Sequence, residues 1–366
     1  MKYFCLPSDF KNETLDSYCE LNCIYKTSKV FETYGQLAPE TKFGSCRASS
    51  QLPAIDRIGL EKYIKYSLDK GIEFNYVINP TCMDNEDLTN KGYKKIRSFF
   101  EMLSDMGVNS VTIALPSLME ICKAAVPGMK IKASAVCQIN SPHKAKFYEE
   151  LGIDRFVMDE DIYRKFDLIK DITSATSMGK EVIINSFCIC DCPYKMFHYN
   201  SLSHNRKGQE IYPYYSRRCK RSHLGAEKYM HINWIRPEDL HYYNELGIEY
   251  FKIQGRTTVF SGNPAKAVKH YMDESYDGDL ISLMELFSQN RSLCIADCKI
   301  DNKKLDGFIE RFVENPGFCK KLCDECGHCK KYAESSINET DRIMLDLMKD
   351  MEILVFKGFP SSYEEN

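Results

Sequence analysis

The sequence predicts an α/β protein: a (β/α)8 TIM-type barrel followed by a small, cysteine-rich helical C-terminal extension. Three observations carry this expectation. Short β-rich runs alternate with longer helical patterns, the rhythm of parallel βαβ units. Four helical stretches stop at glycine just before the next strand, at Lys70-Gly71, Met106-Gly107, Leu151-Gly152 and Leu246-Gly247, where a left-handed C-cap closes a helix. No glycine fingerprint follows the first strand, which disfavours a doubly wound open sheet.

In chain order, the strand candidates are Tyr3–Leu6, Val30–Tyr34, Phe74–Ile78, Ser110–Leu115, Ile131–Val136, Arg155–Met158, Val182–Asn185, His231–Ile235 and Tyr250–Ile253. A barrel needs eight, so one of the nine is peripheral. His231–Ile235 is the weakest, being short and followed at once by Arg236-Pro237. Helices are expected over Arg57–Asp69, Glu86–Met106, His143–Leu151 and Pro237–Leu246. Residues 1–275 form the barrel in this reading, and residues 276–366 the extension. In the extension Asp279–Phe287 and Leu305–Val313 look helical. Ile337–Val355 reads as an amphipathic helix with Ile343, Leu347, Met351 and Leu354 at helical spacing, a face suited to docking.

Composition narrows the function. The 366 residues include 17 cysteines, 43% hydrophobic and 28% charged residues, with a net charge of −3. That balance argues against a chain that coats nucleic acid or an anionic membrane. No run approaches the 18 apolar residues of a membrane span, and the N-terminal stretch lacks a signal-peptide h-region. A cytoplasmic, reducing environment is expected, so the surplus thiols point away from disulfides.

The thiols fall in groups. Cys188, Cys190 and Cys192 close a strand and are followed by Pro193-Tyr194. Pro193 suits a first helical position, which would put Cys192 at a helix cap with a lowered pKa. Two thiols four residues apart at such a corner can bind one iron–sulfur cube. Cys219 stands in the cationic run Arg217-Arg218-Cys219-Lys220-Arg221, and Cys46 follows the second strand beside Arg47. The second group, Cys319, Cys323, Cys326 and Cys329, has C-x3-C-x2-C-x2-C spacing. It fits a second iron–sulfur cluster or a structural zinc, the latter held by four cysteines or by three cysteines and His328. The C-x3-C-x2-C part matches the radical-SAM pattern, but its position near the C-terminus argues against that core.

Asn233-Trp234-Ile235-Arg236-Pro237-Glu238-Asp239-Leu240, followed by Tyr250-Phe251-Lys252-Ile253-Gln254-Gly255-Arg256, resembles the paired signature of the U32 family, the collagenase-like peptidases. Cys188-x3-Cys192-Pro193 with His198 and His204 resembles an iron–sulfur subgroup of it, and Val30–Gly35 its second barrel strand. The resemblance implies a barrel holding a [4Fe–4S] cluster. It also implies oxygen-independent hydroxylation of RNA, a peptide or a small cyclic substrate, or alternatively peptidase activity. Cys188, Cys192 and Cys219 supply three ligands. Cys46 is the expected fourth, by similarity to a branch with a ligand after its second strand, and Cys190 is the runner-up. Gln254 stands where the family usually has Glu.

As an oxidoreductase, the chain would use Lys252 and Arg256 to hold anionic groups, with His198 and His204 as acid–base groups and Tyr194 and Phe197 shielding sulfur. A cysteine peptidase could instead pair Cys188 with His198. A third reading is a non-catalytic cluster carrier that docks a protein partner through the extension.

Overall fold

The computed structural model describes residues 1–37, 52–204, 214–289 and 298–355. Among the described residues ten strands form: β1 (Lys2–Pro7), β2 (Ser28–Gly35), β3 (Glu73–Ile78), β4 (Ser110–Ile113), β5 (Lys130–Ala133), β6 (Arg155–Val157), β7 (Gly179–Ile183), β8 (Asn185–Ile189), β9 (Ile232–Trp234) and β10 (Tyr250–Lys252). Eight of them close a parallel barrel in the order β1-β10-β7-β6-β5-β4-β3-β2. The fold is therefore the (β/α)8 barrel that the alternating pattern predicts. All four predicted glycine caps have positive φ, from 69° at Gly71 to 87° at Gly107 and Gly247.

His231–Ile235 is peripheral, as expected. Its core, β9, pairs antiparallel with β8 outside the barrel (Asn185↔Trp234, Ile189↔Ile232). The sequence did not announce β8 as a separate strand. The chain leaves β7 at Ile184, which donates to the Lys252 carbonyl at 2.9 Å, and then runs on extended past the rim. The register of β10 against β7 ends at Lys252↔Ile183, so β8 begins where the barrel stops.

The barrel interior is ionic at its centre. Lys132 and Arg155 each bridge Glu32 and Glu181, all with buried side chains, and the Cys5 thiol donates to Glu181 at 3.5 Å. Below neutral pH this matters for Glu32. Burial alone would raise its pKa, but Arg155 and Lys132 overcome that and hold it down at about 2.

Beyond residue 276 the chain packs onto the barrel through one continuous core that includes Leu280, Ile281, Phe308, Phe312 and Ile337. The clasp is Arg236. It is buried, pairs in two places with Asp239 (3.0 and 2.8 Å), and reaches the Asn302 carbonyl at 3.0 Å and Asp306 at 2.8 Å. Glu238 beside it accepts from Asn302, Lys303 and the Tyr276 N–H. The last helix, Glu339–Val355, buries Leu345 and packs Met344 and Met348 on the core. The stripe predicted for docking faces out: Ile343, Leu347 and Met351 are 54–64% exposed.

Candidate metal centres

Three of the four thiols assigned to the barrel site meet. Cys188 at the end of β8, Cys192 in the following loop and Cys219 from the helix Tyr214–Ser222 line one cavity with Tyr194, Lys195, His198, Tyr199, Ser222 and His223. The cavity stands over the C-terminal rim of the barrel, the face where barrel enzymes carry their chemistry. Cys46 lies outside the described residues.

His223 fastens the two segments that supply the thiols. Its ring nitrogens lie 2.7 Å from the Cys219 carbonyl and 2.7 Å from the Phe187 carbonyl, and the side chain is buried. Lys195 is buried beside Asp159 (3.1 Å), Asp161 (3.3 Å) and Glu160 (3.8 Å). Burial alone would lower its pKa; Glu160, Asp159, Cys188 and Asp161 together raise it, so it stays a cation next to Cys188.

Several expectations are corrected. The helix after Pro193 begins at Lys195, not at Pro193, so Cys192 is not its cap; its carbonyl receives the Lys195 N–H at 3.2 Å. Burial raises the Cys192 pKa, against a smaller lowering from the Tyr194 N–H. His198 lines the cavity, but His204 does not; it pairs with Asp84 at 3.0 Å, one helix length away. Phe197 is 58% exposed and stacks on Tyr215, so it shields little.

Lys252 and Arg256 stand at the mouth. Lys252 lies over the Tyr34 ring, 4.3 Å from its centroid, and Arg256 donates to Gln36 at 3.0 Å. Burial, then Lys132 and Arg256, lower the Lys252 pKa to about 8 against the pull of Glu181 and Glu32. Gln254 ties the rim together. Its amide donates to the Asn185 carbonyl at 2.9 Å, and its N–H is received by Asn185 Oδ1 at 2.7 Å. A carboxylate could not make the first bond.

Cys190 points elsewhere. It borders a second cavity with Cys319, Cys323 and Cys329, and its thiol reaches the Asp161 carbonyl at 3.6 Å. All four C-terminal thiols line an adjoining pocket of about 410 Å³ with Glu227, His231 and His328. Burial raises Cys329 to about 11; Arg164 opposes, and Cys323, Cys319 and Cys326 add to the rise. His328 borders the same pocket with its ring held in place. Its Nε2 meets the Phe308 carbonyl at 3.0 Å, and the ring stacks on Phe308 and packs against Phe312, Phe318 and Tyr332.

Among the described residues, neither cysteine set brings three sulfurs within 4.8 Å of one another. Tetrahedral zinc, with Zn–S near 2.3 Å, holds its sulfurs about 3.8 Å apart. Both sets are spread wider than that.

A closed parallel barrel with thiols gathered at its C-terminal mouth defines the class: a barrel protein built around a cysteine-lined site. Residues 42–279 match the family model for peptidase family U32, and the chain belongs to that family. It is 30% identical over 339 residues to an uncharacterized protease of Methanocaldococcus jannaschii, covering 90% of this chain and 97% of that one. Among solved structures it is similar to the U32 peptidase Mk0906, with a TM-score of 0.50 and 21% identity, covering 69% of this chain and 92% of that chain. This second likeness bears on the fold alone. No helix among the described residues is long and apolar enough to cross a membrane.

Proposed function

We propose that this U32 protein is an iron–sulfur oxidoreductase, an oxygen-independent hydroxylase acting on RNA, a peptide or a small cyclic substrate. The observation that carries this reading is the convergence of Cys188, Cys192 and Cys219, from two separate segments, on one cavity above the barrel mouth. The donor set fits a [4Fe–4S] cluster: soft thiolates, with the Lys195 cation beside Cys188 to offset their charge. Cys46 is the proposed fourth ligand. When bound, the cluster would supply one-electron chemistry and a site for an oxygen donor.

The chain's own residues do the rest. Lys252 and Arg256 hold anionic groups of donor or substrate at the mouth. His198, in the cavity wall, holds a proton within reach of that space. Lys252 keeps its charge below about pH 8, so anion capture weakens as pH rises through that value.

The second reading is peptidase activity, favoured by the sharing of one cavity by Cys188 and His198. One preparation separates the two. Protein purified without oxygen should absorb in the blue–violet charge-transfer region and contain iron and sulfide, with the barrel share lost in Cys188→Ser. Colourless protein that cleaves peptides and loses activity on thiol alkylation would establish the peptidase instead.

A further inference from the structure

We propose that Cys82, Asp84 and His204 form a binding site for a divalent ion of the zinc type, which pins the end of the helix Lys195–Ser203 to the loop after β3. The site uses none of the thiols of the iron–sulfur reading and stands or falls without it.

Two segments distant in sequence supply the donors. β3 ends at Ile78 on the C-terminal rim of the barrel, and the loop beyond it carries Cys82 and Asp84. The chain turns sharply at that point, with Asp84 and Asn85 in left-handed backbone at φ 53° and 62°. His204 follows the last residue of the helix, and its N–H donates to the Asn200 carbonyl at 3.0 Å. Ser203 ties the two segments together. Its hydroxyl accepts from the Thr81 N–H at 2.9 Å and lies 3.1 Å from the Thr81 hydroxyl. Each donor segment is therefore anchored one residue before its donor, at Thr81 before Cys82 and at Ser203 before His204.

The sulfur, a carboxylate oxygen and a ring nitrogen of this set lie within 4.8 Å of one another, and His204 Nδ1 is 3.0 Å from Asp84 Oδ1. Ligands on a tetrahedral zinc ion stand roughly 3.3–3.6 Å apart, given its bond lengths to N, O and S. Small side-chain rotations close the difference. The same residue types could build a nucleophilic relay, but a relay sets the thiol and the carboxylate on opposite nitrogens of the imidazole, with the ring between them. Here the sulfur and the oxygen are also within 4.8 Å of each other, so the three donors converge on a point instead of lining up.

Two other sets converge in this way among the described residues. Cys5, Glu32 and Glu181 surround the Lys132 and Arg155 cations, and Asp161 and Asp191, beside Cys190, pair with Lys195 and Lys321. In both, cations of the chain itself already meet the carboxylates. Of the three sets, only that of Cys82 contains an imidazole, the commonest metal ligand. The His204 and Asp84 side chains are 39% and 46% exposed, so an ion can enter from solvent and keep a water as its fourth ligand. On binding, Cys82 releases its thiol proton to solvent and His204 offers the lone pair of a neutral ring. The thiolate and the Asp84 carboxylate then balance the two charges of the ion. The helix pinned by this ion carries Lys195, His198 and Tyr199, which line the thiol cavity, so the ion fixes one wall of that cavity from outside it.

The test uses the full chain, stripped with a chelator and given Co2+ alone. Wild type should take up about one more cobalt per chain than Cys82→Ser or His204→Gln, and should gain the near-ultraviolet charge-transfer band of a cobalt thiolate. Cobalt held by other thiols appears in all three proteins and cancels in the difference. A second measurement needs no variant: Zn2+ should slow the alkylation of Cys82 in wild type at least about tenfold, read at that residue by peptide mass mapping. Equal cobalt uptake in the three proteins, or alkylation of Cys82 at the same rate with and without Zn2+, would overturn the site. Fast alkylation that zinc leaves unchanged and His204→Gln abolishes would also overturn it, and would make Cys82 a nucleophile instead.

Discussion

Replacing Arg236 by alanine tests the clasp between barrel and extension. The side chain is buried, makes a two-point pair with Asp239, and donates to the Asn302 carbonyl and Asp306. Removing one partner of a buried pair costs about 3–5 kcal/mol, because the remaining charge is stranded. That is a large share of the roughly 5–15 kcal/mol that holds a domain together. The assay is urea unfolding followed by the fluorescence of Trp234, the single tryptophan, which is buried two residues from Arg236. The pH dependence has a fixed sign. Burial already raises the Asp239 pKa, against the two hydrogen bonds and the charge of Arg236. Without Arg236 it rises further, so the folded state binds its proton more tightly than the unfolded state does. Stability then falls as pH climbs through that folded pKa, and the deficit at pH 8 exceeds the deficit at pH 5. Arg236→Met/Asp239→Leu, which removes both charges, should recover more than half of the loss. A loss under about 1 kcal/mol, or an equal loss at pH 5 and pH 8, would refute the reasoning.

Lys252→Met should stabilise the fold by about 1–3 kcal/mol at pH 7, measured by the same unfolding. The folded pKa near 8 lies below the unfolded value, so the penalty is full below pH 8 and fades as pH rises toward about 10, closing the gap between variant and wild type. Glu32→Gln should cost about 3–5 kcal/mol at pH 7, since Lys132 and Arg155 lose a shared partner. The wild-type advantage of a carboxylate held at about 2 is present above its unfolded pKa and lost as pH falls from about 4.5 toward 2, so the two proteins converge in acid. Iron assays should show Cys192→Ser and Cys219→Ser losing the barrel iron and Cys190→Ser keeping it, because Cys190 opens onto the other cavity.

The barrel was legible because its signals are local. Strand alternation and the capping glycines need only neighbours a few residues apart, and each barrel strand overlaps a run that was read, although the run Val182–Asn185 straddles β7 and β8. What escaped depends on contacts between distant segments. Cys188, Cys190 and Cys192 look equivalent along the chain; only the β8–β9 pairing and the His223 bridge decide that Cys190 serves a different cavity. The cap at Cys192 failed because Pro193 and Tyr194 form a turn first, and the helix begins at Lys195. The apolar stripe on Glu339–Val355 was read correctly as a face, yet the residues that dock are Met344, Leu345 and Met348 on the adjoining one. The ionic barrel centre left no signal in sequence, since Glu32, Lys132, Arg155 and Glu181 come from four strands.

The two halves of the family signature serve different ends. Arg236, Glu238 and Asp239 face the extension and hold Asn302, Lys303 and Asp306. Lys252, Gln254 and Arg256 face the mouth. Just before the first half runs β9, whose partner β8 carries Cys188. Movement of the extension would therefore strain the strand pair that presents the barrel thiol, and a buried ion pair is a poor hinge: separating it costs more than rotating about a solvated loop. Trp234 packs on Phe308 at 5.2 Å and Arg164 lies over both rings, so ring contact repeats the same constraint. A rigid junction is more than an accessory domain needs for solubility. It fixes β9, and through β9 the strand that carries Cys188, against the extension, which gives a physical reason for Arg236 and Asp239 to be buried although neither lines a thiol pocket.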